Sequence, residues 1–153
     1  MLRIILSMVK SLEKIAKQKK IKYFLVTFVD LFGVQRAKLV PARAIGEMQK
    51  TGAGFGGFAT HLDLSFSEPD MFALPDPDSL IQLPWQPDVG WLASDLVMNN
   101  KLMDQCPRVI LKNQIENLDK LDLTMKTGVE CEFFILNEDG SEVADTRDDA
   151  LKP

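Results

Sequence analysis

The sequence predicts an α+β fold, on three observations. Runs of β-branched and aromatic residues bounded by turn signals stand apart from stretches in which apolar residues recur at helical spacing. The chain has 153 residues, 46% hydrophobic and 26% charged, enough for one domain with a real core. No internal repeat is visible, and the composition excludes collagen, coiled coil, a disordered tail and a disulfide scaffold as descriptions of the whole.

The first helix is predicted from about Ser7 to Gln18, with Val9, Leu12, Ile15 and Ala16 as its apolar stripe and lysines around it. Ile21 to Val29 reads I-K-Y-F-L-V-T-F-V and is predicted as a strand. Asp30-Leu-Phe-Gly33 turns the chain, and Val34 to Val40 is the returning strand, with Gln35, Ala37 and Leu39 on one face and Arg36 and Lys38 on the other. Pro41 opens a short helix that runs to about Lys50 and closes at Gly52. Thr51 to Pro87 is predicted to be the least regular stretch, opened by four glycines and holding five of the eight prolines. Leu80–Leu83 and Gly90–Met98 are short strands, Asn99-Asn100 is a hairpin turn, and Leu102-Met103 is the strand after it. Pro107 starts a helix from Arg108 to about Leu121, with Val109, Leu111, Ile115 and Leu118 on the buried side. Thr124 to Leu136 contains the strongest strand signal, and Asn137-Glu-Asp-Gly140 turns it. The division is an N-terminal helix at 1–19, a small α+β domain at 20–105, and the start of a second domain at 106–153.

Composition also excludes function classes. Eighteen basic and twenty-two acidic residues give a net charge of −4, which supplies no basic footprint for nucleic acid. No apolar run approaches a membrane span. Cys106 and Cys131 form no C-x-x-C pair, so zinc-ribbon and thioredoxin readings fail, and two isolated thiols fit a reducing compartment such as the cytoplasm.

Few residues offer chemistry. Gly52-Ala-Gly-Phe-Gly-Gly57 formally matches G-x-G-x-x-G, yet it follows a helix and leads into a loop, whereas the dinucleotide fingerprint must open a helix. His61 is the only histidine, so hydrolase triads have no support. Arg36, Lys38 and Arg43 read as a solvated face. Glu130-Cys-Glu132 differs: period two puts both carboxylates on one face of a strand, with Cα atoms about 6.6 Å apart, and apolar Phe134 and Leu136 continue that face. Buried carboxylates are costly unless compensated, and hard cations such as Mg²⁺ and Mn²⁺ favour oxygen ligands. An edge strand with solvated glutamates is the alternative.

Gly128-Val-Glu-Cys-Glu-Phe-Phe134 resembles the G-x-E-x-E-F-F strand that begins the catalytic domain of glutamine synthetases. Val29-Asp-Leu-Phe-Gly33 with Arg36 and Lys38, Asp70-Met-Phe-Ala-Leu-Pro-Asp76, Pro84-Trp85 and Pro107-Arg108 agree with that family in order. Gly52-Ala-Gly-Phe-Gly-Gly-Phe-Ala59 is most similar to the type III branch, whose close relatives make γ-glutamylmethylamide from methylamine. The resemblance implies a β-grasp-like N-terminal domain followed by the first helix and strand of an α/β catalytic domain. It also implies homo-oligomers with active sites between subunits. The implied reaction is ATP-dependent amidation of the glutamate side chain by ammonia, or methylamine, through γ-glutamyl phosphate, with Mg²⁺ or Mn²⁺. By position, Glu132 would hold the ion near glutamate and Glu130 the ion near the ATP phosphates. Many family members carry Asp-Gly-Ser-Ser in the glycine-rich loop to help deprotonate ammonium; here Asp63 is the nearest carboxylate. The resemblance also implies an N-terminal fragment, because the family's remaining metal, ATP and glutamate ligands fall beyond Pro153. A β-grasp binding or assembly module is the reading from a different class.

Overall fold

Seven strands and three α-helices follow one another in a computed structural model that describes residues 10–144. The chain divides into two units, Met1–Leu123 and Thr124–Pro153.

In the first unit, helix α1 (Leu12–Lys19) begins where Ser11 stands in extended backbone and its hydroxyl accepts from the Lys14 N–H at 3.3 Å. The helix predicted from Ser7 therefore starts later: Lys10 and Ser11 lie outside it, and Val9 falls outside the described residues. The serine cap satisfies an N–H that an earlier start would have placed mid-helix. Leu12 and Ala16, one turn apart, are buried.

Strands β1 (Tyr23–Val29) and β2 (Gln35–Pro41) form the expected antiparallel hairpin, with Leu25 opposite Leu39 and Val29 opposite Gln35. A 3₁₀ turn at Ala42–Ala44 leads into α2 (Ile45–Thr51), which ends at Gly52 with φ of +82°. A Cβ on Gly52 would lie 2.9 Å from the Phe72 Cβ, so both the conformation and the close approach demand glycine.

The stretch from Thr51 to Pro87 holds the strand expected at Leu80–Leu83, as β5 (Ile81–Gln82), and two that were not expected, β3 (Ala53–Phe55) and β4 (Met71–Pro75), which pair antiparallel. Gly54 lies inside β3 and Pro75 ends β4, while the other glycines and prolines of the stretch lie outside its strands. Strand β6 (Val89–Met98) is the organiser. Its first half pairs parallel with β1 and antiparallel with β5, and its second half pairs antiparallel with β4 and with β7 (Lys101–Leu102). Asn99 and Asn100 both have positive φ, 51° and 59°, as a two-residue hairpin of that twist requires. The resulting order is β2-β1-β6-β4-β3.

One face of this mixed sheet carries Phe24, Val26, Leu92, Leu96, Met71 and Ala73, and these form the core with Leu12 of α1 and Ile45 of α2. Helix α3 (Pro107–Asp119) has proline in its first turn. Of the stripe expected to be buried, only Val109 is; Leu111 is 52% exposed and Ile115 46%. Ion pairs fix this helix to the sheet instead. Arg108 pairs with Asp76 and, at 2.9 Å, with Asp95, which also takes Lys112.

In the second unit the strong strand expected at Thr124–Leu136 does not form. Residues 124–135 belong to no helix or strand, and among the described residues a bridge joins Leu136 to Val143. Phe133 and Phe134 are exposed. β-propensity measures fit to a pleated, half-buried surface, and no neighbouring strand within this unit's described residues supplies one. The turn after it is as expected, with the Gly140 N–H donating to the Asn137 carbonyl at 2.8 Å and φ of +72° at the glycine.

Candidate functional site

At one corner of the first unit the β1–β2 turn meets the glycine-rich segment, and a buried carboxylate fixes the turn. Asp30 is 1% exposed. Its Oδ1 accepts from the backbone N–H of Phe32 and of Val34, each at 2.9 Å. Its Oδ2 accepts from Arg36 Nε at 2.9 Å and Nη2 at 2.8 Å. Burial pushes the Asp30 carboxyl up, but the donors at Val34, Arg36 and Phe32 outweigh it and hold the group below the usual carboxylate range. Arg36 was expected on a solvated face and is instead half-buried against this acid. The sequence held the signal for this correction: Arg36 alternates with Val40, which is buried, so the pair faces inward. Arg43 is exposed as expected.

Lys38, next along the same face, donates to the Gly54 carbonyl and lies 5.0 Å from the centre of the Phe55 ring. Phe55 in turn meets Phe28 edge-on at 4.9 Å. The two basic residues thus tie β2 to the turn on one side and to the glycine-rich segment on the other. That segment follows a helix and continues into a 3₁₀ turn at Gly57–Ala59, so the dinucleotide arrangement is absent from it. A Cβ on Gly57 would lie 2.4 Å from Leu64 Cδ1, so the leucine side chain would have to move to admit it.

Beyond the 3₁₀ turn, Leu62 is fully buried between His61 and Asp63, which both adopt left-handed backbone with φ of 52° and 57°. The Leu31 N–H donates to the His61 carbonyl at 3.4 Å, and the Phe32 and His61 rings meet edge-on at 5.3 Å. Phe58 stacks on Phe66 at 4.4 Å. Between turn and loop lies a hollow of about 460 Å³ lined by Leu31, Phe32, Phe58, His61, Leu62, Asp63 and Leu64.

Glu130 and Glu132 lie in the second unit, both exposed, in the segment without regular secondary structure. Apolar Phe134 and Leu136, expected to be partly buried, are 72% and 51% exposed. With no ladder, desolvation does not force these carboxylates to seek a cation. No group of three or more His, Cys, Asp or Glu side chains suited to a metal occurs among the described residues. The donor set itself suits hard divalent cations: two carboxylates, with Mg²⁺ commonly held by one or two such groups, substrate phosphates and water. No helix among the described residues is long and apolar enough to cross a membrane.

Residues 104–152 match the family model "Glutamine synthetase, catalytic domain". A glutamine synthetase of Rhizobium leguminosarum bv. phaseoli is 54% identical over 146 residues, 95% of this chain and 34% of the relative. A glutamate–methylamine ligase of Methyloversatilis universalis is 33% identical over 145 residues, 92% of this chain and 33% of that protein. Among solved structures, "GmaS/ADP complex-Conformation 1" superposes with a TM-score of 0.84 at 52% identity, covering 91% of this chain and 32% of that one. "Apo GmaS without ligand" gives 0.84 and 52%, covering 92% and 34%. The chain spans about a third of the length of the curated relatives it matches.

Proposed function

Since this chain belongs to the glutamine synthetase family, we propose that it carries part of an ATP-dependent ligase that joins an amine to the side-chain carboxylate of glutamate. The identity of 54% across 95% of its length to a glutamine synthetase is the observation that carries this reading. Glutamate would be activated as γ-glutamyl phosphate, and ammonia or methylamine would then displace the phosphate. Glu130 and Glu132 would hold Mg²⁺ or Mn²⁺, which supplies charge to neutralise phosphate oxygens when bound. By the family resemblance, Glu132 would lie toward glutamate and Glu130 toward the ATP phosphates. Their exposure is compatible with ligands from other parts of the enzyme completing the shell.

The mixed sheet, with its parallel β1–β6 pair between antiparallel neighbours, supports a β-grasp-like reading of residues 20–105, with the catalytic domain opening near 106. The Asp30–Arg36 and Lys38–Gly54 ties give the turn and the glycine-rich corner one defined shape. Such a corner suits a contribution to an active site shared between subunits of a homo-oligomer. Methylamine as acceptor is the second reading, favoured by the methylamine ligase among the relatives.

The test replaces the matching third of the Rhizobium leguminosarum relative with this chain and assays ATP- and glutamate-dependent amide formation. A chimera that forms the amide supports the reading. A folded, assembled chimera without activity overturns it.

A further inference from the structure

An acidic chain, of net charge −4, gathers positive charge at one place. From Lys10 to Lys22 stand six lysines against one acid, Glu13. The fold then adds an arginine from another segment. Arg43, in the 3₁₀ turn at Ala42–Ala44, lines a hollow of about 550 Å³ together with Lys17, Lys20 and Lys22, a volume in the range of small-ligand sites. Of the arginines among the described residues, Arg36 and Arg108 are held by aspartates. No ion pair among the described residues involves Arg43 or Lys20. Lys17 is taken by Glu13 at 2.8 Å, and Lys22 has Asp88 at 3.8 Å.

Like charges held close together repel, and a counter-ion between them relieves the repulsion. Backbone bonds fix where these cations are mounted. Lys20 ends α1 in left-handed backbone with φ of 57°, its N–H donating to the Ala16 carbonyl. The Lys22 N–H donates to the Asp88 carbonyl at 2.7 Å, and the Lys22 carbonyl accepts from the Ala42 N–H at 2.8 Å. Arg43 is the next residue along. Buried Ala16 and Ile21 line the same hollow, so its wall belongs to the core and stands before any ligand arrives. Only the exposed ends of the cationic side chains are left to order on binding.

We propose that this hollow binds a small phosphate-bearing anion, with Arg43 on one phosphoryl group and Lys20 and Lys22 on the oxygens beside it. A guanidinium presents paired N–H donors that match two oxygens of one phosphoryl group, while ammonium groups act as point charges on the others. A monovalent anion neutralises one of the three cations and leaves two. A dicarboxylate supplies two charges but fewer oxygens than a diphosphate. The site lies at the Tyr23 end of β1, whose seven residues put about 20 Å between it and the Asp30–Arg36 corner at the other end. It calls on neither glutamate of the second unit, so it goes beyond the ligase reading and does not depend on it.

The experiment titrates the complete 153-residue chain by NMR with sodium pyrophosphate, sodium succinate and sodium chloride at matched ionic strength, with divalent metal left out. Pyrophosphate should give saturable shifts at Lys20, Lys22 and Arg43, with affinity about fivefold or more above succinate. Arg43→Gln and Lys20→Asn should each weaken it about fivefold or more. Both remove exposed side chains, and asparagine accepts the left-handed backbone at position 20. Lys101→Gln removes an exposed lysine of β7 that is not in the wall and should leave the affinity unchanged, because charge at a distance is screened. Shifts that stay linear and match those of sodium chloride overturn the proposal. So do equal affinities for pyrophosphate and succinate, or a Lys101→Gln loss as large as that of Arg43→Gln, which would mean attraction to net charge without a site.

Discussion

Arg36 and Asp30 close the first hairpin from inside: guanidinium Nε and Nη2 both reach the same carboxylate oxygen, at 2.9 and 2.8 Å, while the other oxygen takes the two N–H groups of the turn. Among the described residues, Arg36 is the one cation paired with this buried acid. Arg36→Met should therefore lower the melting temperature much more than Arg43→Met, which removes an exposed guanidinium. Asp30→Asn on the Arg36→Met background should recover part of the loss, because it removes the stranded charge. Equal effects of the two arginine substitutions would contradict this pairing.

The same carboxylate sets a pH dependence. Its folded pKa lies below the ordinary value, so its contribution is complete above the unfolded value of about 3.9. It is lost as pH falls through the lower folded value. Melting temperature followed from pH 6 to pH 2 should drop in that acid range, and the Asp30→Asn chain should show a shallower drop.

Gly52 is the position where the backbone permits nothing else. Gly52→Ala combines a left-handed φ with a Cβ 2.9 Å from the Phe72 Cβ and 3.1 Å from the Ala73 carbonyl oxygen. Urea unfolding should show a loss of about 2 kcal/mol or more.

Helix α3 offers a contrast within one element. Val109→Ala should cost about 2 kcal/mol, since Val109 is 2% exposed. Leu111→Ser and Ile115→Ser should each change stability by about 0.5 kcal/mol or less. Comparable losses at all three would mean that the outer stripe is covered.

Two carboxylates alone leave a divalent ion mostly hydrated. Calorimetry of the 153-residue chain should accordingly find only weak Mn²⁺ binding, in the millimolar range or above. Micromolar binding abolished by Glu132→Ala would mean that the described chain already completes the site.

What was legible in the sequence follows from where the physics is local. The Asp30–Gly33 turn, the hairpin around it, and the Asn99-Asn100 hairpin are set by residues adjacent in the chain, and all three stand where the pattern placed them. Strands β3 and β4 were not legible, because glycines and prolines in their segment masked pairings that depend on β6 from far along the chain. The run ending in Phe133 and Phe134 was over-read, since apolar and β-branched residues declare a wish for a sheet and cannot supply the neighbouring strand. Asp30 passed unnoticed because an aspartate in a turn is ordinarily solvated; only its donors make burial tolerable. The alternation of Arg36 with Val40 was readable and would have turned that arginine inward, whereas Lys38 between them is exposed as expected.

The central claim is that Glu130 and Glu132 hold the metal of a glutamate ligase, and the chimera with the Rhizobium leguminosarum relative tests it most directly. The measurement is the rate of amide formation against Mg²⁺ concentration for the chimera and for its Glu130→Ala and Glu132→Ala forms, with melting temperature followed in parallel. Each substitution should lower the rate by about 100-fold or more and raise the Mg²⁺ requirement while leaving the melting temperature nearly unchanged. Rates and metal dependence that survive the loss of both glutamates would contradict the account.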